Sequence, residues 1–277
     1  CRTNISESWC RVQDKLLGNH ILPLLSSLNL ESVKPGHISA VLSASKLKGH
    51  APKTTLHLYT VLFSIFQSAI EFHELLSKSP VKAKFHRPKV PKRKAAFMTP
   101  EKTIMFLEYV MGTNYAPGVW IQALTALRVG EMLPLTWQDF DFTNNQILIS
   151  KKYNREMKRI ETFTKNREQH YVPIPPMLRR YLLPLVDKPE ALVMTNQSGG
   201  MMCYYQYRRF MRKVCAKLKV NIRGSHGLRH SCTEIWVNAG ATAEDLRRLL
   251  NQKSLDATAD YIHRTDDRLA KIAKKIS

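Results

Sequence analysis

Residues 125–137 read Thr-Ala-Leu-Arg-Val-Gly-Glu-Met-Leu-Pro-Leu-Thr-Trp. One arginine, Arg128, stands inside an apolar run, where an unpaired charge is costly. It must be paired or turned toward a site. Glu131 follows three residues later, the spacing that puts two side chains on one face of a helix. Taken alone, the pair reads as readily as a structural ion pair as it does as part of a binding site.

Two further stretches downstream have the same character. Residues 226–231 are His-Gly-Leu-Arg-His-Ser, so His226 and Arg229 project from one helical face. Ile235, Trp236 and Val237 follow as an apolar anchor for that segment. Residues 246–263 are Leu-Arg-Arg-Leu-Leu-Asn-Gln-Lys-Ser-Leu-Asp-Ala-Thr-Ala-Asp-Tyr-Ile-His, with Tyr261 near the end and Thr258 three residues before it.

In this order and spacing, the three blocks resemble the catalytic motifs of the tyrosine recombinases, a family that includes the phage integrases. The family pattern runs T-G-L-R-x-x-E-x-x-x-L-x-W, then H-x-L-R-H, then L-L-G-H followed by T-x-x-Y. Leu127, Arg128, Glu131, Leu135 and Trp137 match the first block; His226, Leu228, Arg229 and His230 the second; Leu249, Leu250, Thr258 and Tyr261 the third. By motif the resemblance covers residues 97–277. It implies a mainly α fold with a small antiparallel β-hairpin, arranged as a two-domain DNA clamp. The expected domains are a helical core-DNA-binding domain over 1–80, a basic linker over 81–96 and an α+β catalytic domain over 97–277.

The resemblance also implies roles. Tyr261 is the nucleophile that forms a 3′-phosphotyrosine. Arg128 and Arg229 neutralise the scissile phosphate, as rigid, permanently charged guanidinium forks can. His226 assists the phenol or the phosphate, while Glu131 and His230 support from behind. The family places a lysine in the hairpin eight residues before a proline, and Lys165 stands eight before Pro173, with Lys151 and Lys152 as competitors. Two departures stand out. Gln252 replaces the usual histidine or tryptophan, and glutamine can donate a hydrogen bond but carries no charge. Ala126 and Asn251 replace glycines. A type IB topoisomerase and a catalytically weakened, DNA-holding recombinase are the rival readings. The implied partners are a double-stranded recombination site, three further copies of the chain in a tetramer, and accessory DNA-bending proteins. The implied scheme requires no ATP, cofactor or metal, and the sequence, consistent with that, holds neither a P-loop glycine motif nor an acidic metal cluster.

Composition agrees with a nucleic-acid partner. Lys and Arg total 43 against 22 acidic residues, a formal charge of +21. Such a charge repels itself in a compact chain, and a polyanion relieves it. Charge alone also fits a merely soluble basic protein. Apolar residues form 44% of the chain, enough for a packed core and too many for long disorder. No apolar run reaches 18 residues, so no membrane span is expected. The five cysteines are scattered and never in C-x-x-C spacing, which argues against zinc or a disulfide framework and for reduced thiols in a cytoplasmic protein; the resemblance implies association with the nucleoid. The chain begins Cys1-Arg2-Thr3 without a Met and reads as a fragment, with room for an upstream module.

Periodicity predicts helices over 7–28, ended or kinked at Pro23, and over 38–47 and 53–76. The last has a buried stripe of Leu56, Tyr59, Phe63, Phe66, Ile70 and His73. Residues 78–94 carry eight basic residues and no acid, interrupted by Pro80, Pro88 and Pro91, and read as an extended linker. Lys82, Lys84, Arg87, Lys89, Lys92, Arg93 and Lys94 are candidate backbone contacts to DNA, with a solvated hinge as the alternative. Beyond it, helices are expected near 99–110 and 117–127, a strand over 146–150 and its partner over 169–174. Further helices are expected over 176–184, 203–218, 226–238, 243–250 and 256–262. Either a helix of the first domain or the 203–218 helix, with Tyr204, Tyr205, Arg208, Arg209, Arg212 and Lys213, is the candidate for the major groove.

Overall fold

Pro52 opens the longest helix, and the pattern behind it shows why the N-terminal residues fold as a bundle. The computed structural model describes residues 6–91, 96–163, 169–222 and 224–252. The chain divides into two units, Cys1–Arg93 and Lys94–Ser277. In the first, Ser6 caps α1 (Glu7–Leu16) by accepting from the Trp9 N–H. The helix widens into a π-turn at Leu17–Ile21 and continues as α2 (Leu22–Leu25). Pro23 therefore does not end the helix: it follows the π-turn directly, at the second residue of α2. α3 (Pro35–Leu47) and α4 (Pro52–Glu71) complete the bundle around Ile38, Val41, Leu58, Leu62 and Phe66.

α4 ends five residues earlier than expected, and its buried face is rotated by about one residue. Thr55, Leu58, Tyr59, Leu62, Phe66 and Ala69 are buried, whereas Phe63 and His73 are exposed. Apolar residues cover most of this helix, so their period alone does not fix its phase. A polar contact helps fix it: Thr55 Oγ1 lies 3.2 Å from Ser45 Oγ in the buried interface with α3.

The basic segment begins less extended than the sequence suggests. Val81 is buried with the first-unit core, and α5 (Ala83–His86) forms a single turn. His86 Nδ1 accepts from the Lys82 N–H at 2.9 Å, and its Nε2 lies 3.1 Å from Ser39 Oγ. Lys82, Lys84, Arg87 and Lys89 stay exposed around this anchor, while Lys92, Arg93 and Lys94 lie outside the described residues.

The second unit is mainly helical with small antiparallel sheets, as expected. Thr99 caps α6 (Pro100–Val110), and α7 (Ala116–Thr125) is buried nearly throughout. α8 (Val129–Met132) leads to β1 (Phe140–Asp141) and β2 (Gln146–Ile149). β2 pairs antiparallel with β5 (His170–Pro173), Ile147 opposite Val172, giving the order β1-β2-β5. Between them a second hairpin appears that the sequence did not announce, β3 (Lys151–Asn154) with β4 (Arg159–Thr162). Only Tyr153 and Ile160, paired across the hairpin, are apolar in its two strands, too few to draw an alternating pattern. α9 (Pro176–Leu182), α10 (Tyr204–Lys217), α11 (Gly224–Asn238) and α12 (Ala243–Leu249) follow. α11 packs mainly on α7, with Leu228 and Cys232 fully buried between them. The helix expected over 256–262 lies outside the described residues.

Candidate active site

The end of α7 decides where Arg128 points. Ala126 closes the helix in the left-handed region, φ 57° and ψ 18°, with its methyl group buried. An L-residue there costs roughly 1 kcal/mol, a cost that glycine does not carry. The turn drops the chain out of the helix, so Arg128 takes extended backbone (φ −71°, ψ 150°) and becomes the N-cap of α8. The sequence placed Arg128 and Glu131 on one helical face; in the structure Arg128 precedes the helix and Glu131 reaches back to it. Glu131 Oε2 accepts from the Arg128 backbone N–H at 2.8 Å, and Oε1 accepts from Arg128 Nη1 at 2.9 Å. The glutamate side chain is 10% exposed and that of the arginine 48%, so a buried carboxylate holds a guanidinium that faces solvent.

α11 supplies the second block. Its Arg229 is buried at 5% exposure. Nη1 donates to the Ala126 carbonyl at 2.5 Å and Nη2 to the Leu250 carbonyl at 2.6 Å. One guanidinium thus ties together the turn before Arg128, its own helix and the end of α12. Those are the three blocks that the sequence grouped by order alone. One turn earlier, His226 is exposed, its ring 4.6 Å from that of His230 in an edge-to-face pair. Cys232, one turn after Arg229, is buried, and burial pushes its thiol up to about 12, which leaves it an inert space-filling group.

Arg128, His226 and Arg229 line a single concavity of about 240 Å³, together with Gln122, Leu127, Val129, Gly130, Tyr204 and Ser225. Two arginines and a histidine around one concave wall make a site for an anionic oxygen group, with donors that approach from different elements. Sequence reasoning named Tyr204 only as a candidate DNA contact on the 203–218 helix, and it did not single out Gln122 or Ser225. Gln122 did carry a signal: it is the one polar residue in the otherwise apolar run Val119–Leu124, and a buried amide demands partners. It has them. Gln122 Nε2 donates to the Leu127 carbonyl at 3.0 Å, and Oε1 accepts from the Tyr207 hydroxyl at 2.7 Å. Burial pushes the Tyr207 phenol far above its ordinary range, so it stays a donor.

The hairpin lysines separate by environment. Lys151 Nζ pairs with Asp139 Oδ2 at 2.9 Å and donates to Thr136 Oγ1 at 3.0 Å, with its side chain only 18% exposed. Lys152 lies 3.7 Å from Glu161 and 5.2 Å from the Phe163 ring centre. Lys151 is thus a structural cation, and Lys165 lies outside the described residues, as does Tyr261. Gln252 is half-buried. Its N–H donates to the Arg247 carbonyl and its own carbonyl accepts from Arg247 Nη1, each at 3.0 Å. Its side-chain Oε1 is buried without a hydrogen-bond partner among the described residues. Asn251 takes left-handed backbone (φ 44°), and its Nδ2 lies 3.0 Å from His170 Nδ1. Arg208, Arg209 and Arg212 line the exposed face of α10.

The fold and the site define a class: a mainly helical, strongly basic protein that gathers two arginines and a histidine around one anion-sized concavity. The description of the phage integrase family matches residues 110–268, more than half of the chain, and the chain belongs to that family. The integrase of Mycobacterium phage D29 is 26% identical over 240 residues, covering 82% of this chain and 62% of that protein. A XerC-like tyrosine recombinase of Caldanaerobacter subterraneus subsp. tengcongensis is 24% identical over 272 residues, covering 86% of this chain and 69% of the relative. The chain thus spans about two thirds of the length of these relatives. Among solved structures, an integrase of the Tn1549 transposon in complex with circular-intermediate DNA superposes with a TM-score of 0.83 at 19% identity, over 100% of this chain and 96% of that one. At that identity the likeness is one of fold.

Proposed function

We propose that the chain is a site-specific recombinase that cuts and rejoins DNA strands through a 3′-phosphotyrosine. The observation that carries this reading is the convergence of Arg128, His226 and Arg229 on one concave wall. A phosphodiester resists attack because it is anionic, so the first task is to neutralise charge on its non-bridging oxygens, where charge builds in the transition state. Arg128, exposed and held from behind by Glu131, serves one oxygen. Arg229 serves the other from the pocket floor while it ties the blocks together. Tyr261 attacks phosphorus, its proton passing toward His226. The 5′-oxygen leaves with a proton from Lys165. A 5′-hydroxyl from another strand reverses the step, so the bond energy is kept in the tyrosyl phosphodiester. Gln252 donates the remaining hydrogen bond to the phosphate, in place of a charged or aromatic group.

The double-stranded DNA target is held largely by its backbone, through Lys82, Lys84, Arg87 and Lys89, with Lys92, Arg93 and Lys94 continuing the segment, and through Arg208, Arg209 and Arg212 on α10. Exchange between two duplexes breaks four strands, one per nucleophile, which calls for four copies of the chain on the DNA. DNA as substrate places the protein in the cytoplasm with the nucleoid. Incubation with a nicked suicide duplex tests the reading. Wild type is expected to form a covalent protein–DNA adduct and Tyr261→Phe none. Absence of an adduct from the wild type favours a protein that binds DNA without cutting it.

A further inference from the structure

The peptide that joins Leu127 to Arg128 is held at both ends. Its carbonyl accepts from Gln122 Nε2 at 3.0 Å, and its N–H donates to Glu131 Oε2 at 2.8 Å. The preceding carbonyl, that of Ala126, accepts from Arg229. Glu131 and Arg229 belong to the recombinase motifs; Gln122 does not. A carbonyl can only accept, so the Gln122 amide must turn its NH₂ toward Leu127 and its oxygen toward Tyr207, whose hydroxyl must then donate. Gln122 is 1% exposed and Tyr207 0%. Each side chain would lose hydrogen bonds to water on burial, and the two are retained at this point as a satisfied pair.

Tyr207 lies on the buried face of α10 with Met211 and Val214, and Tyr115 stacks beneath the same helix on Phe210 at 4.1 Å. The opposite face carries Arg208, Arg209, Arg212 and Lys213, all exposed. One rigid helix therefore presents a cationic face to solvent and, 85 residues away in sequence from Gln122, a hydroxyl to the turn that aims Arg128.

We infer that Gln122 and Tyr207 are positioning residues, a strut through which α10 sets the place of Arg128 against the scissile phosphate. The inference rests on the strand-cleavage reading of the site. Both side chains are buried, and the Gln122 amide and the Tyr207 hydroxyl are each engaged within the protein, so they act on the substrate through Arg128. Their effect falls on the step in which phosphate charge is stabilised, and not on holding the duplex, because the phosphate contacts of α10 are made by its other face.

The test is single-turnover adduct formation on the nicked suicide duplex at saturating protein, measured well below the unfolding temperature of each variant. Tyr207→Phe deletes one oxygen and Gln122→Met deletes the amide. Each is expected to slow cleavage by about tenfold or more, as loss of precise placement does, with duplex affinity held within about twofold. The double variant should be no slower than the worse single variant, because the two act as one unit. Met211→Ala, a core truncation on the same helix, serves as the stability control. It should lower the unfolding temperature at least as far and leave the cleavage rate within about twofold. If Tyr207→Phe does not fold, Gln122→Met, which leaves the Tyr207 ring in place, carries the same expectation. Wild-type rates in both single variants, or an equal slowing by Met211→Ala, overturn the inference. A wild type that forms no adduct removes the strand-cleavage reading instead.

Discussion

Arg229 does more than its motif implies. A lysine at this position keeps the charge but has one nitrogen in place of a planar fork, so it cannot reach the Ala126 and Leu250 carbonyls together. Arg229→Lys should lower stability by about 2 kcal/mol, the value of a charged hydrogen bond removed from a buried place, measured by urea unfolding. It should also abolish adduct formation. A variant of unchanged stability would show that the two carbonyl contacts are incidental. The glycine departures find their explanation at the same scale. Ala126 and Asn251 both take left-handed backbone, which glycine adopts freely and other residues at a cost. Asparagine is among the side chains that tolerate that region best. Arg128, His226 and Arg229 were legible from the order and spacing of their motifs. Gln122 and Tyr207 were not: a glutamine in an apolar helix signals only that it needs a partner, and a tyrosine in a basic helix looks ordinary, until the fold brings them within 2.7 Å.

At the scale of elements, the close approach of α8 to β3 sets the back wall of the site. A Cβ placed on Gly130 would lie 2.9 Å from the Tyr153 carbonyl oxygen, a backbone atom that cannot swing aside. Gly130→Ala should therefore cost about 1–3 kcal/mol, as overpacking does, and a thermal unfolding midpoint within about 1 °C of wild type would contradict the contact. The β3–β4 hairpin that makes it was invisible in the sequence because one apolar cross-strand pair, Tyr153–Ile160, stands among six polar strand residues and draws no alternation. The β2–β5 pair was visible, because Ile147, Ile149 and Val172 alternate with polar residues. The longer described helices fall within a few residues of their expected bounds, whereas the single-turn helices α5 and α8 were not expected. α4 is apolar over most of its surface, and only its contacts decide which side is inside. α7 ends sooner than its apolar run because Ala126 turns left-handed, a backbone event that composition does not mark.

For the whole molecule, the charge of +21 is the dominant fact. If about eight phosphates are neutralised on binding, affinity should fall roughly 10³- to 10⁵-fold between ~50 and ~200 mM salt. Replacing Lys82, Lys84, Arg87 and Lys89 together with glutamine should reduce the salt slope by ~0.9 for each phosphate that the segment no longer neutralises. A slope that stays at its wild-type value would show this segment to be a solvated hinge. The segment is anchored through Val81 and His86, so these changes should leave the first unit folded.

The central claim is that Arg128, His226 and Arg229 hold a phosphate for attack by Tyr261. The most direct measurement is the mass-spectrometric identification of the residue bound to DNA after reaction with a nicked duplex, digestion and peptide mapping. The expected result is a single nucleotidyl-modified peptide with the phosphate on Tyr261. Modification of Tyr204, the tyrosine that lines the pocket, or recovery of uncut DNA with no modified peptide, would contradict it.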